Sequence, residues 1–317
     1  MIRCLPVALL LLAFAAPSAA QSGFIDQEAV SALLNIRALS LDDIPDVHYN
    51  YYVLQNRRGN NAIARNTFYN LIGDGDTQRG RARAELIQMI NRRLMRDFLI
   101  GDTIIVPTTF DLDFRAYTPF PRYYPGGRDF DKLFVMDKTI QAFAAYEYGE
   151  LMRWGIINTG NPEESPTPNG RYNFNWREPY RVSSLSPPDE DWEMYWVVNF
   201  HQERGMHVHQ YEMPTGGPTS HGCVRLVDTD AQWVYEWVDT WKTSRKGDGL
   251  ASAQGRLVKQ GTTVLVIGTE PAVQPQPFDL RPRFPVLARV ELPAHPYDIP
   301  PGTKQQERFD QIRKNSR

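Results

Sequence analysis

Cysteine is almost missing from this sequence: 317 residues contain two, Cys4 and Cys223. So small a number excludes a disulfide framework as the source of stability. Long apolar runs are missing as well. The stretch from Leu5 to Ala16 is too short to span a bilayer comfortably. Charge of one sign is also lacking, since 35 Lys and Arg stand against 37 Asp and Glu, and only the short "NRRLMR" around Arg92 gathers cations. Nucleic acid is therefore not expected as a partner. What is present is ample apolar content, 42% of residues, enough for one large domain or two modest ones.

The N-terminus reads Met1-Ile2-Arg3, the apolar run, then Pro17-Ser18-Ala19-Ala20. That order of charge, apolar core and small residues is the pattern of a secretory signal. Cleavage after Ala20 is expected, leaving a mature chain outside the cytoplasm, in the periplasm or cell envelope, with no integral membrane span. An uncleaved anchor is the alternative. Cys4 precedes the apolar core, too early to be a lipidation site behind it. Its removal leaves Cys223 solitary, so no intramolecular disulfide can form. A packing cysteine usually has apolar neighbours, whereas these are Ser220, His221, Gly222 and Arg225. A reactive thiol is the preferred reading.

Apolar spacing predicts a short helix through Val30, Leu33, Leu34 and Leu41, a second ending at Gly73, and a third from about Arg81 to Phe98. A strand is expected to end at Pro107. Residues 21–117 thus read as a mainly helical module. "TPFPRYYPGGRD", 118–129, is rich in proline and glycine and makes the best boundary. Beyond it, "DKLFVMD", "TIQAFAAYEYG", "ELMRWGIINTG", "EMYWVVNF", "RGMHVHQ" and "GTTVLVIG" read as strands. All seven tryptophans, Trp154 to Trp241, fall here, so the large core is expected here too. One helix interrupts the strands, with Asp228 or Asp230 as cap and Val234, Trp237, Val238 and Trp241 as its apolar stripe. Nine prolines among residues 269–317 predict an extended or disordered tail, one that could pack along the domain.

A thiol becomes a strong nucleophile on losing its proton, which a nearby histidine promotes. His221 is close in sequence but awkwardly placed for in-line contact. His207, in "GMHVHQ", could sit on a neighbouring strand and face the thiol, which makes it the better base. His209 shares the strand face of His207 and stays open as the alternative. Gly222 lets a substrate carbonyl approach, and the amides of Gly222 and Cys223 are candidate oxyanion donors.

These residues resemble the L,D-transpeptidase catalytic domain, the YkuD family. Its signature is a histidine, a spacer of a dozen or so residues, then Ser/Thr-His-Gly-Cys, an apolar residue, and Arg or Asn. Here His207 is followed by twelve residues and then Ser220-His221-Gly222-Cys223-Val224-Arg225. Thr159-Gly160, Thr167-Pro168-Asn169-Gly170 and Tyr172 match a second stretch, and the resemblance runs over 129–268. It implies an α+β protein whose catalytic domain is a mainly β sandwich. It also implies attack by Cys223 on the L,D-bond of a peptidoglycan stem peptide, release of D-alanine, and transfer of the acyl group to an amine of a second stem or a surface protein. His207 would be base and then acid, and the histidine of such enzymes is commonly oriented by a backbone carbonyl. Gly222, His221, Ser220 and Arg225 would support the oxyanion or the loop, and Thr167, Pro168 and Gly170 would line the substrate cleft. No cofactor or metal is implied. Where the family usually has glycine or serine after the upstream histidine, this chain has Val208 and then His209.

"FLIGDTIIVP", 98–107, resembles the closing stretch of a LysM carbohydrate-binding repeat or of a linker following one. The helices before it do not follow that pattern, so a structural module is preferred over glycan binding. An L,D-carboxypeptidase or cross-link hydrolase would use the same cysteine, and the residues do not separate either from a transpeptidase. A non-catalytic wall-binding protein is a further reading, as is a zinc site made by His207, His209, His221 and Cys223.

Overall fold

The computed structural model describes residues 24–35, 37, 40–213, 217–245, 249–250, 252, 255–272 and 274–315. The expected signal, 1–20, lies outside them. Gln27–Asn35 forms the first helix (α1), burying Val30 and Leu34. Tyr49–Val53 is a strand (β1) that pairs antiparallel with Thr103–Pro107 (β2). Between them lie helices Asn61–Ile72 (α2) and Thr77–Asn91 (α3). Asn60 caps α2 by accepting from the Ile63 amide, and Ala64, Phe68 and Ile72 recur at the four-residue spacing of one buried face. The Asp76 carboxylate caps α3, so that helix starts earlier than expected, and Arg92 in the left-handed region ends it. Sequence reasoning missed β1: "YNYYV" carries one buried residue, Tyr49, too few for alternation to show.

The remaining strands build two sheets. Leu133–Asp137 (β3), Ala142–Glu147 (β4), Glu150–Ile156 (β5), Gly170–Asn173 (β6) and Thr263–Ile267 lie in the first. The second contains Arg177–Val182 (β7), Glu193–His201 (β8), Met206–Gln210 (β9) and Val224–Leu226 (β10), in the order β10-β9-β8-β7. Lys242–Thr243 (β11) and Leu257–Lys259 (β12) form a small antiparallel pair, which makes Thr263–Ile267 strand β13, and the first sheet runs β5-β4-β3-β13-β6.

Every residue of β3 is buried, so both faces of the first sheet must be covered. Phe134 and Met136 point to one side and pack with Val198, Phe200, Val208 and Val224 of the second sheet. Leu133 and Val135 point to the other, where α1, the 114–124 segment and Phe278 of the tail cover them. The expected boundary at 118–129 is thus not a free linker, for Phe120 and Tyr124 are core residues. Asp228–Trp237 (α4) packs on β8 and β9. Neither aspartate proposed as its cap fills that role. Val227 is the cap residue, Asp228 is already helical, and Asp230 is buried against Arg153 at 2.6 Å. The Gln27 side chain supplies the missing acceptor, taking the Asp228 amide at 2.7 Å.

The tail is packed along the domain. Residues 300–302 run beside β6, with a backbone bridge from Arg171 to Pro301, and Lys304–Asn315 forms a helix (α5). Proline content hid this helix, although Thr303 caps it by accepting from the Gln306 amide. Asp310 of α5 pairs with Arg171, whose side chain is 1% exposed. Removing one member of a buried pair leaves an uncompensated charge and typically costs about 3–5 kcal/mol. Asp310→Ala should therefore lower stability by about that much in urea unfolding; a loss under about 1 kcal/mol would show that the pair does not hold the tail in place.

Candidate active site

Strand register brings the thiol and its histidine together. β10 runs parallel to β9 with Val224 opposite Val208, so the preceding pair is Cys223 and His207. Adjacent strands lie about 4.8 Å apart, close enough for a side-chain contact on one face. Cys223 Sγ stands 3.7 Å from His207 Nδ1, within range for a sulfur hydrogen bond. Cys223 is free and half-buried, while His207 is buried. The opposite ring nitrogen, Nε2, is buried and has no hydrogen-bond partner among the described residues. The backbone carbonyl expected to orient the ring is thus not found there. Packing does that work: the Trp176 ring lies 5.1 Å from the His207 ring at 59°, and Arg181 sits over the Trp176 ring.

Hydroxyls fix the loop before Cys223. Three successive carbonyls each accept from one: His221 from Ser165 Oγ at 2.9 Å, Gly222 from Thr167 Oγ1 at 2.9 Å, and Cys223 from Ser220 Oγ. The Gly222 amide donates to Ser220 Oγ at 3.1 Å. Of the two amides expected to serve as oxyanion donors, Gly222's is therefore already committed. Gly222 has φ +103°, so the turn requires glycine for its conformation, while a Cβ there would meet chiefly the movable end of Met206.

Electrostatics favour a neutral resting pair. Burial first, then His209 and Arg181, lowers His207 to about 3. Burial raises Cys223, opposed by its hydrogen bond to His207 and by Arg225. Burial of both groups thus favours the neutral thiol and imidazole over a preformed ion pair, with the proton moving as substrate is attacked. His209 is lowered to about 4, chiefly by burial.

These shifts set an acid limit. A histidine whose folded pKa lies below its ordinary 6.5 binds protons more readily when unfolded. Its contribution to stability is complete above pH 6.5 and is lost as pH falls toward 4 and 3. His201, also lowered by burial, acts in the same direction. Glu85, raised by burial to about 7, acts against them, as do Asp137 and Asp230, which burial also raises, so the net loss is smaller than the histidines alone would give. The melting temperature should therefore fall between pH 6.5 and 4.5, as a scan of thermal unfolding would show. A flat profile would contradict the neutral-histidine account.

The other expected site residues separate into groups. His209 Nδ1 donates to the Gln210 carbonyl at 2.7 Å and is committed away from the thiol. His221 is exposed and stacks on Trp192, ring centroids 5.2 Å apart. Arg225 lies over the Tyr211 ring at 4.5 Å, and its backbone exchanges hydrogen bonds with Asn158. Of the three residues expected to line the cleft, Thr167 and Gly170 are buried and Pro168 is partly exposed. Thr167 is wholly buried, the Pro168 carbonyl accepts from the Tyr172 hydroxyl at 2.9 Å, and Gly170 lies against Gly302 of the tail. Zinc ligation by the four His and Cys side chains is not assembled either, because His209 and His221 are turned to other partners. Among the described residues no group of three or more His, Cys, Asp or Glu is gathered as a metal site.

Sequence reasoning missed Trp176, Trp192 and Arg181 beside the histidines, because tryptophan in a β-rich segment reads as core. It also missed Lys138 and Glu270, 132 residues apart, whose side chains meet at 2.8 Å and are each 6% exposed. No local pattern could have paired them.

Residues 131–266 match the family model of YkuD, the L,D-transpeptidase catalytic domain. Among solved structures the chain is similar to an L,D-transpeptidase from Stackebrandtia nassauensis, with 22% identity over 45% of this chain and 58% of that one and a TM-score of 0.33. It is similar also to an L,D-transpeptidase from Mycobacterium smegmatis, at 23% identity over 44% of this chain and 59% of that one, TM-score 0.33. For the catalytic domain of an E. faecium L,D-transpeptidase the figures are 18%, 43% and 97%, with a TM-score of 0.30. The chain thus spans less than two thirds of the length of the first two. No curated protein matches it. The segment 131–266, which carries the strands of both sheets, is thus similar to the YkuD family of L,D-transpeptidase catalytic domains.

Proposed function

We propose that the protein is an L,D-transpeptidase of the cell envelope that acts on peptidoglycan stem peptides through a thioester on Cys223. The observation that carries this reading is the 3.7 Å approach of Cys223 Sγ to His207 Nδ1 on adjacent strands of the family's domain. The signal-like pattern in residues 1–20 supports a site of action outside the cytoplasm.

Neutral His207 accepts the thiol proton at Nδ1 as Sγ attacks the carbonyl of the stem's L,D-bond. The oxyanion that forms needs a donor that is already in place, and of the two expected donors the Cys223 amide is the one without a hydrogen-bond partner among the described residues. Collapse breaks the C–N bond, the imidazolium gives its proton to the departing amine of D-alanine, and the thioester remains. The amine of a second stem or of a surface protein then attacks, His207 takes its proton, and Cys223 leaves as the thiol. Water in place of that amine would make the same residues a carboxypeptidase.

Incubation of the purified protein with disaccharide-tetrapeptides, followed by mass analysis of the products, tests the reading. A 3-3 cross-linked dimer is the expected product. Tripeptide alone would assign hydrolysis, and unchanged substrate would overturn the proposal.

A further inference from the structure

Thr167 lies 56 residues from Cys223 in sequence and makes no contact with its thiol, yet every polar group it has is tied to the catalytic loop or to a buried ion pair. Its amide donates to Glu270 Oε1 at 3.1 Å, and its carbonyl accepts from Lys138 Nζ at 2.7 Å. Lys138 Nζ also donates to Glu270 Oε2 at 2.8 Å, so the pair closes on the Thr167 backbone from both sides. The hydroxyl accepts from the Gly160 amide at 3.0 Å and donates to the Gly222 carbonyl at 2.9 Å. Thr167 is 0% exposed, so that carbonyl points into the interior.

A trans peptide is planar, with its C=O and N–H directed oppositely. Holding the Gly222 carbonyl inward therefore turns the Cys223 amide outward, and among the described residues that amide has no hydrogen-bond partner. We propose that Thr167, clasped by the buried Lys138–Glu270 pair, is a positioning residue that aims the Cys223 amide at the oxyanion of the acylation step. The proposal rests on the reading of Cys223 as nucleophile. Glu270 stands four residues beyond the segment 131–266 that the family model matches.

Two reactions of the same thiol separate aiming from general damage. Acylation by a carbapenem builds an oxyanion at the attacked carbonyl, whereas alkylation by iodoacetamide builds none. Removing an oxyanion donor costs about 10²- to 10³-fold in rate, and misaiming it should cost somewhat less. Thr167→Val is expected to slow acylation about 10- to 100-fold while alkylation stays within about 2-fold, and Thr167→Ser, which keeps the hydroxyl, should restore acylation. Glu270→Gln should slow acylation in the same selective way. Because breaking a buried pair can prevent folding, the two Thr167 variants carry the decision. Acylation of Thr167→Val at the wild-type rate, or a parallel fall in alkylation, would overturn the proposal alone. A wild-type protein whose Cys223 is alkylated but never acylated would overturn the nucleophile reading, and the proposal with it.

Discussion

Cys223→Ala should abolish acyl transfer, with a loss of about 10⁴-fold or more that leaves no product above the uncatalysed background. Nothing nearby can replace the thiol. Ser220 Oγ is the closest hydroxyl in sequence, but it donates to the Cys223 carbonyl and accepts from the Gly222 amide. Ser165 and Thr167 are committed to the carbonyls of His221 and Gly222. The fold should survive, because Cys223 is half-buried and the loop is held by its backbone rather than by sulfur. Product analysis by mass, together with a melting curve, checks both halves. Residual turnover above about one part in a thousand, in a folded variant, would mean that another group forms the covalent bond.

His207→Ala is expected to cost about 10²- to 10⁴-fold in acylation rate, the range for a positioned general base. His209→Ala should cost far less of that rate, and its main effect should be on stability. The two histidines share a strand face, but their ring nitrogens are used differently. His207 Nδ1 meets sulfur, whereas His209 Nδ1 is bound to a carbonyl and its ring lies against Tyr211. Acylation rates of the two variants, measured on folded protein at one pH, decide the matter. Equal losses would refute His207 as the base.

Local pattern was enough to read much of the site. Ser220-His221-Gly222-Cys223 is contiguous, and its glycine and cysteine each do something only that residue type can do. The strand in "RGMHVHQ" was legible as a short run set off by turn residues, and a parallel partner beside it was enough to bring His207 to Cys223. What stayed hidden depends on contacts between distant segments. Lys138 and Glu270 meet only because β3 and β13 are parallel neighbours whose ends come together. Thr167 looked like a cleft residue because its motif is polar and loop-like, yet its hydroxyl and backbone are consumed inside the protein.

The same reasoning explains the ends of the chain. A first sheet buried on both faces needs two covers, and the second sheet supplies one. The other comes from α1, the 114–124 segment and the tail, none of which shows the strong periodicity of a self-sufficient domain. Their composition reads as linker and extension; their apolar residues, Val30, Leu34, Phe120, Tyr124 and Phe278, are what the sheet requires. Helix α5 escaped notice because its apolar content is small and its docking rests on the charge of Asp310 against Arg171.

The central claim is that Cys223 carries the acyl group. The most direct test mixes the purified protein with a disaccharide-tetrapeptide, quenches in acid during turnover, and maps the peptides by mass. The account predicts a disaccharide-tripeptide adduct on the peptide containing Cys223, formed with one equivalent of released D-alanine. Release of D-alanine with Cys223 unmodified at every time, or an adduct on any other residue, would contradict it.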